Sequence, residues 1–145
     1  MNYNLQSTII KYKIKKGEEI IWDEVIRYNK HHLMGETEVK AVVEDGGKLK
    51  LKGKILIEKD AVGAEAFLRF KVLLLGKNAS AEVDPELEIL CNQVKASHSA
   101  SVGRIDEEQL FYLTSRGLSK KEAVKLIVKA FLSWCHTRED GYLLK

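Results

Sequence analysis

A mainly β chain ending in a small α-helical unit is what this 145-residue sequence predicts. Three observations carry the prediction. Short stretches alternate apolar with charged residues at a period of two, as half-buried strands do. Glycine-containing turn signals separate them. From Gly103 onward the alternation gives way to a 3.6-residue apolar period preceded by helix caps.

Taken in order, "IIKYKIK" sets Ile10, Tyr12 and Ile14 on one face and lysines on the other. "KLKLKGKILI", residues 48–57, does the same with Leu49, Leu51, Ile55 and Ile57 against a lysine column. "FLRFKVLL" repeats the pattern with Leu68, Phe70, Val72 and Leu74. "KKGEE", "EDGG" and "LLGKNA" supply the turns between them. Leu87, Ile89 and Cys91 then alternate with Glu86 and Glu88, and Val94, Ala96, His98 and Ala100 with serines.

Asp106 with Gln109, and Ser119 with Glu122, have the spacing of capping boxes. The first opens "EEQLFYLTS", which Gly117 ends. The second opens a helix whose Ala123, Val124, Ile127, Val128, Phe131 and Trp134 trace one face, with Lys120, Lys121, Lys125 and Lys129 opposite. Strands therefore occupy residues 1–102 and a helical hairpin residues 103–145, with the junction at Ala100–Arg104.

"ILIEKDA" (Ile55–Ala61) and "LLLGKNA" (Leu73–Ala79) echo each other at an offset of 18 residues. Stacked rungs of a β-solenoid produce such repeats, and on that reading the chain holds about five rungs. A sandwich of short hairpins accounts for the same strands equally well.

Composition narrows the function classes. The net charge of +3, from 24 Lys+Arg against 21 Asp+Glu, is too small to demand a nucleic-acid partner. The two cysteines form no CxxC pair, the N-terminus lacks a secretory pattern, and no apolar run reaches the ~20 residues of a membrane span. The expectation is a reduced, cytoplasmic protein without a membrane partner.

His98 shares its face with small apolar groups, which suits either a satisfied core histidine or an inward-facing metal ligand. Cys91 reads as a small hydrophobe between carboxylates, and Cys135–His136 as helix surface. His31 and His32 are adjacent, so on a strand they face opposite ways, and a polar turn is the simpler reading. The lysine columns at 11, 13, 15 and at 48, 50, 52, 54 make a phosphate-binding face conceivable. They lack the interleaved aromatic residues of a single-strand binder. The helical pair carries no Asn, Gln or Arg array for base edges, and no catalytic triad, P-loop or paired-carboxylate motif is present.

Taken together, "LKGKILI", "LLLGKNASAEVDPELEI", "VKASHSASVGRIDEEQLFYLTSRGLSKKEA" and "IVKAFL" resemble the SufB/SufD family of iron–sulfur cluster assembly proteins. The likeness runs from about Gly35 to Leu132 and is most specific over its last forty residues. It implies a short right-handed parallel β-helix followed by a small helical domain. It also implies a non-catalytic scaffold role, with a SufC-type ATPase docking on the C-terminal helices. The corresponding residues here are Leu110, Phe111, Tyr112, Arg116, Gly117, Leu118 and Phe131. A SufB-type subunit or a second copy of the chain would meet the β-helix, with iron or a nascent cluster held transiently at the junction. Ala79 stands where SufB has a cysteine and Ser99 where it has a glutamate, so the resemblance leans toward SufD and assigns the ligand role to His98. The alternative is a small basic nucleic-acid-binding protein.

Overall fold

A computed structural model describes residues 5–133 and 143–144. Seven ten-residue strands follow one another: β1 (Leu5–Ile14), β2 (Glu19–Tyr28), β3 (Met34–Val43), β4 (Lys48–Ile57), β5 (Glu65–Leu74), β6 (Ser80–Ile89) and β7 (Lys95–Arg104). Helices α1 (Glu107–Ser115) and α2 (Lys120–Ser133) come next, followed by a short β8 (Leu143–Leu144). Odd strands and β8 form one sheet in the order β7-β5-β3-β1-β8, and β2, β4 and β6 form the other. Every pairing is parallel, so the chain is a β-solenoid and the hairpin sandwich is excluded.

The turn of this solenoid is longer than the 18-residue echo suggested. Leu5 pairs with Met34, Met34 with Glu65 and Glu65 with Lys95, which are spacings of 29, 31 and 30 residues. Each turn uses two strands and two connections, one strand per sheet, so the chain completes about three turns rather than five. The echo links the ends of β4 and β5, which lie in opposite sheets. Ile55 is fully buried inside the solenoid, whereas Leu73 lies on the outer face in register with Val42. The two segments share composition and not position.

Inside, the alternating rows stack. Val39, Ala41 and Val43 of β3 align with Phe70, Val72 and Leu74 of β5, facing Leu49, Leu51, Ile55 and Ile57 of β4. Trp22 and Phe70 meet edge to face, ring centres 5.7 Å apart. Gly53 sits between them in the β4 row, where a Cβ would come within 2.8 Å of Phe70 Cζ and 2.9 Å of Trp22 Cζ3. The missing side chain is therefore the space the aromatic pair occupies.

The turns also stack. Gly17 N–H donates to Gly46 O at 3.2 Å and Ser80 N–H to Gly47 O at 3.1 Å. Asp45 accepts from the backbone N–H of Asn78 at 2.8 Å and from its side-chain amide at 3.3 Å, which holds the Asp45 carboxyl below its ordinary range.

A second apolar cluster fixes the helices to the outer face of the five-stranded sheet. Val42 and Leu73 lie beneath Ile127 and Val128, flanked by Ile105, Leu110, Leu113, Val124, Phe131 and Leu132. This explains why β3 is buried on both faces over Thr37–Val43 and does not alternate. Charges are trapped under the same cover. Lys40 is 1% and Glu38 2% exposed; Lys40 Nζ donates to Phe131 O at 3.1 Å, near the C-terminal end of α2. Glu38 pairs with Lys71 at 3.0 Å and Glu36 with Arg69 at 2.9 Å.

Candidate functional site

The histidine singled out in the sequence lies at the open end of the solenoid. β7 is the last strand of its sheet and pairs on one side only, with β5. His98 is in register with the buried Leu68, so it belongs to the inward row of Ala96, His98, Ala100 and Val102. Among the described residues no further turn covers that row, and His98 is exposed. Opposite it, Ala81, Val83, Pro85 and Leu87 of β6 extend the inward row of β4 and are partly buried. The result is an end surface of mostly small uncharged groups with one imidazole, bounded by Arg104, which stands in register with the inward Leu74. Among the described residues no group of three or more His, Cys, Asp or Glu side chains gathers to hold a metal ion. Any ion bound at His98 therefore needs ligands from elsewhere.

The two outer edges of this end differ. Pro85 lacks an N–H and marks β6 as an edge strand. The outer row of β6 is acidic: Glu82, Asp84, Glu86 and Glu88 stand in register with Lys50, Lys52, Lys54 and Leu56 of β4. Lys50 pairs with Glu82 at 3.2 Å, and Lys54 with Glu86 at 3.2 Å and Glu88 at 3.4 Å. The hydrogen bonds and charges of those carboxylates raise the Lys54 pKa. The lysine column that suggested a phosphate-binding face is thus neutralised by the next turn. β7 carries neither a proline nor a carboxylate, and its outer Ser97, Ser99 and Ser101 leave its backbone accessible to an added strand.

The helices carry the second candidate surface. Asp106 is the N-cap of α1, but its carboxylate accepts from Glu108 N–H at 2.9 Å, and among the described hydrogen bonds Gln109 does not answer it. The second capping box forms in full. Glu122 N–H donates to Ser119 Oγ at 3.2 Å, while Glu122 Oε2 accepts from Ser119 N–H at 2.8 Å and from the hydroxyl at 2.7 Å. These bonds, the hydroxyl's first, hold the Glu122 carboxyl below the ordinary glutamate range. A depressed folded-state pKa stabilises the fold above the unfolded value, about 4.3, and that contribution is lost as pH falls through the folded pKa. Glu122→Gln should therefore lower the melting midpoint at pH 7 and leave it almost unchanged at a pH well below the depressed folded-state pKa. Thermal scans by circular dichroism across that range check it.

The residues expected to bind a partner separate into two sets. Leu110 and Phe131 pack into the cluster that holds the helices to the sheet. Phe111 is 74% and Tyr112 57% exposed on the opposite side of α1. Arg116 lies over the Tyr112 ring at 5.2 Å. Gly117 has φ +98°, the left-handed conformation that ends α1, and Leu118 follows half-buried. Leu126 of α2, 46% exposed, was absent from the sequence reading because it lies off the main apolar stripe. Trp134 and Cys135–His136 lie outside the described residues. Cys91 is buried in the core as a small apolar group, and His31 and His32 are exposed in a turn, with His32 at φ 54°. Among the described residues no helix is long and apolar enough to cross a membrane.

Comparison with known proteins agrees with this architecture. Residues 10–131 match the SufBD core domain of the SUF iron–sulfur cluster assembly system. The chain is 41% identical over 92 residues to the iron–sulfur cluster assembly protein SufD of Escherichia coli K12, covering 63% of this chain and 22% of that protein. It is 34% identical over 93 residues to an iron–sulfur cluster assembly SufBD family protein of Staphylococcus saprophyticus, covering 64% of this chain and 20% of that protein. A Staphylococcus aureus USA300 protein of the same description matches with the same identity and coverage. The chain spans about a fifth of the length of these relatives. With the core-domain match running from the first strand to the last turn of α2, the chain belongs to the SufBD family of iron–sulfur cluster assembly proteins.

Proposed function

We propose that the chain is a non-catalytic, SufD-like scaffold subunit in iron–sulfur cluster assembly, with two working surfaces. Its C-terminal helices dock a SufC-type ATPase, which supplies the ATP hydrolysis. Its open solenoid end meets a SufB-type subunit or a second copy, and His98 offers an imidazole to iron or a nascent cluster passing through the junction. The observation that carries this reading is the division of the helical apolar residues. Leu110, Phe131 and their neighbours hold the helices to the sheet, whereas Phe111 and Tyr112 remain exposed beside Arg116. Exposed aromatic residues with an adjacent arginine have the composition of an interface hot spot. Leu118 and Leu126 extend that surface.

Co-expression with a SufC-type ATPase, followed by size-exclusion chromatography, tests the docking surface. The wild-type chain should co-elute with the ATPase. Phe111→Asp should abolish co-elution while leaving the circular dichroism spectrum unchanged, since the side chain is exposed. A folded wild-type chain that never co-elutes would sink the docking assignment. His98→Ala should reduce iron retained by the assembled complex without affecting ATPase binding, and unchanged iron content would remove the ligand role.

A further inference from the structure

An open cavity of about 380 Å³ lies where the end of β7, the start of α1 and the last turns of α2 meet. Leu73, Ile127, Ala130 and Phe131 give it apolar walls, and Arg104, Asp106 and Gln109 its polar side. The Asp106 carboxylate is already engaged as the N-cap of α1, accepting from Glu108 N–H. Gln109 and Phe111 are two positions apart, which sets them about 200° apart around the helix axis. The cavity therefore opens on the side of α1 away from the aromatic surface proposed for the ATPase. Ala130 leads from it onto the exposed face of α2. There Ala130 and Leu126, the latter 46% exposed, make an apolar row one turn long. Lys121, Lys125 and Lys129 form the neighbouring row at i, i+4 spacing, and all three are exposed.

Like charges one turn apart weaken a helix, so this lysine row costs α2 stability. Among the described residues no carboxylate pairs with any of the three lysines. The acidic residue nearest in the helix, Glu122, is held by Ser119. The lysine column of β4, by contrast, is matched by β6. We infer that this face of the helical pair is a docking groove for an acidic amphipathic helix of a protein partner. Such a helix seats an apolar side chain in the cavity, packs on Leu126, and lays its carboxylates along Lys121, Lys125 and Lys129. An apolar anchor in a concave site is how helices bind grooves, and a helix repeats its own carboxylates at the same i, i+4 period. Opposite charge on the two faces adds orientation and a faster encounter. A nucleic-acid backbone would meet the lysines alone and leave Leu126 and the cavity in water. The groove shares only Leu126 with the ATPase surface, so the inference goes beyond the scaffold reading and stands if neither the ATPase nor iron binds.

The probe is a fluorescein-labelled peptide of about 20 residues, long enough to form a helix, with leucines at i, i+4 spacing on one face and glutamates elsewhere. Fluorescence anisotropy should show it bound by the wild-type chain. Lys125→Glu/Lys129→Glu and Ala130→Arg should each weaken binding roughly tenfold. Ala130→Arg adds positive charge while filling the cavity, so it separates anchoring from attraction. An oligothymidylate of the same charge should bind that variant no more weakly than it binds the wild type. Circular dichroism checks that these exposed substitutions leave the fold intact. Amide resonances of the wild type need no variant: added peptide should shift those of Gln109, Ile127 and Ala130. A wild-type chain that does not bind the peptide overturns the inference, as does undiminished binding to a folded Ala130→Arg. Shifts confined to Phe111 and Tyr112 do so too. Binding that survives replacement of every peptide leucine by serine would show a surface that reads charge alone. Oligothymidylate bound more tightly than the peptide would make it a nucleic-acid surface, and either result also overturns the inference.

Discussion

Gly53→Val should lower the stability of the fold by about 2–3 kcal/mol, the range in which overpacked cores fall. The site has no slack. An added Cβ would lie 2.8 Å from Phe70 Cζ, 2.9 Å from Leu68 Cδ2 and 2.9 Å from Trp22 Cζ3. Phe70 is fully buried and the Trp22–Phe70 pair is held edge to face, so neither ring can turn aside into solvent. On propensity alone the substitution would favour a strand, because glycine weakens strand interiors and valine suits them. Steric cost should override propensity here. For a chain of this size the loss corresponds to a fall in melting midpoint of roughly 4–12 °C. Urea denaturation and thermal scans measure it, and an unchanged or raised midpoint would refute the packing argument. Gly53→Val combined with Phe70→Leu should recover part of the loss, since the two sites share the same space and cannot be additive.

Lys40→Met should cost about 2–4 kcal/mol, although methionine matches much of the lysine stem in shape. Lys40 is 1% exposed, its ammonium donates to Phe131 O at 3.1 Å, and it lies 5.9 Å from the Phe131 ring centre. It therefore supplies a cation near the end of α2 where backbone carbonyls lack helical partners. Its removal strands a part-buried carbonyl and takes positive charge from the neighbourhood of Glu38, itself 2% exposed. Lys50→Met makes the contrast. Lys50 also pairs with a carboxylate, Glu82 at 3.2 Å, but both side chains are about half exposed, and such pairs contribute little. Equal midpoints for the two variants would show that the buried charge is not structural. Exchange of α2 amides should rise in Lys40→Met and not in Lys50→Met, since only the former releases the helix from the sheet.

Much of this architecture was legible in the chain because alternation and capping are local signals. β1, β4 and β5 alternate cleanly, and the Ser119–Glu122 box formed as its spacing implied. β3 escaped notice because α2 covers its outer face and erases the alternation. β2 escaped it because Ile21 and Val25 stand exposed on the outer row of an edge strand while Trp22 and Tyr28 fill the inner one. The length of a turn was hidden for a different reason. Neighbouring strands in the sequence lie in opposite sheets, so the loudest local echo links segments that never pair. The lysine column of β4 was visible, but its neutralisation depends on Glu82, Glu86 and Glu88 arriving one turn later. His98 was found by its alternation alone; that it lies on an uncovered row followed only from the strand count. Phe111 and Phe131 looked equivalent until their helices were placed on the sheet.

The uniform spacing between paired strands, 29 to 32 residues at every step, fixes how this chain must fold. Loop closure costs grow only slowly with length, so each successive pairing meets nearly the same entropic barrier. No strand can pair locally with its sequence neighbour, which makes the first complete turn the slow event and every later turn an addition to an existing template. Unfolding should retrace that order, peeling from an end without breaking in the middle. A chain built this way changes length in whole turns, because losing half a turn would move every later strand into the opposite sheet, where its residues meet neighbours they are not shaped to stack upon.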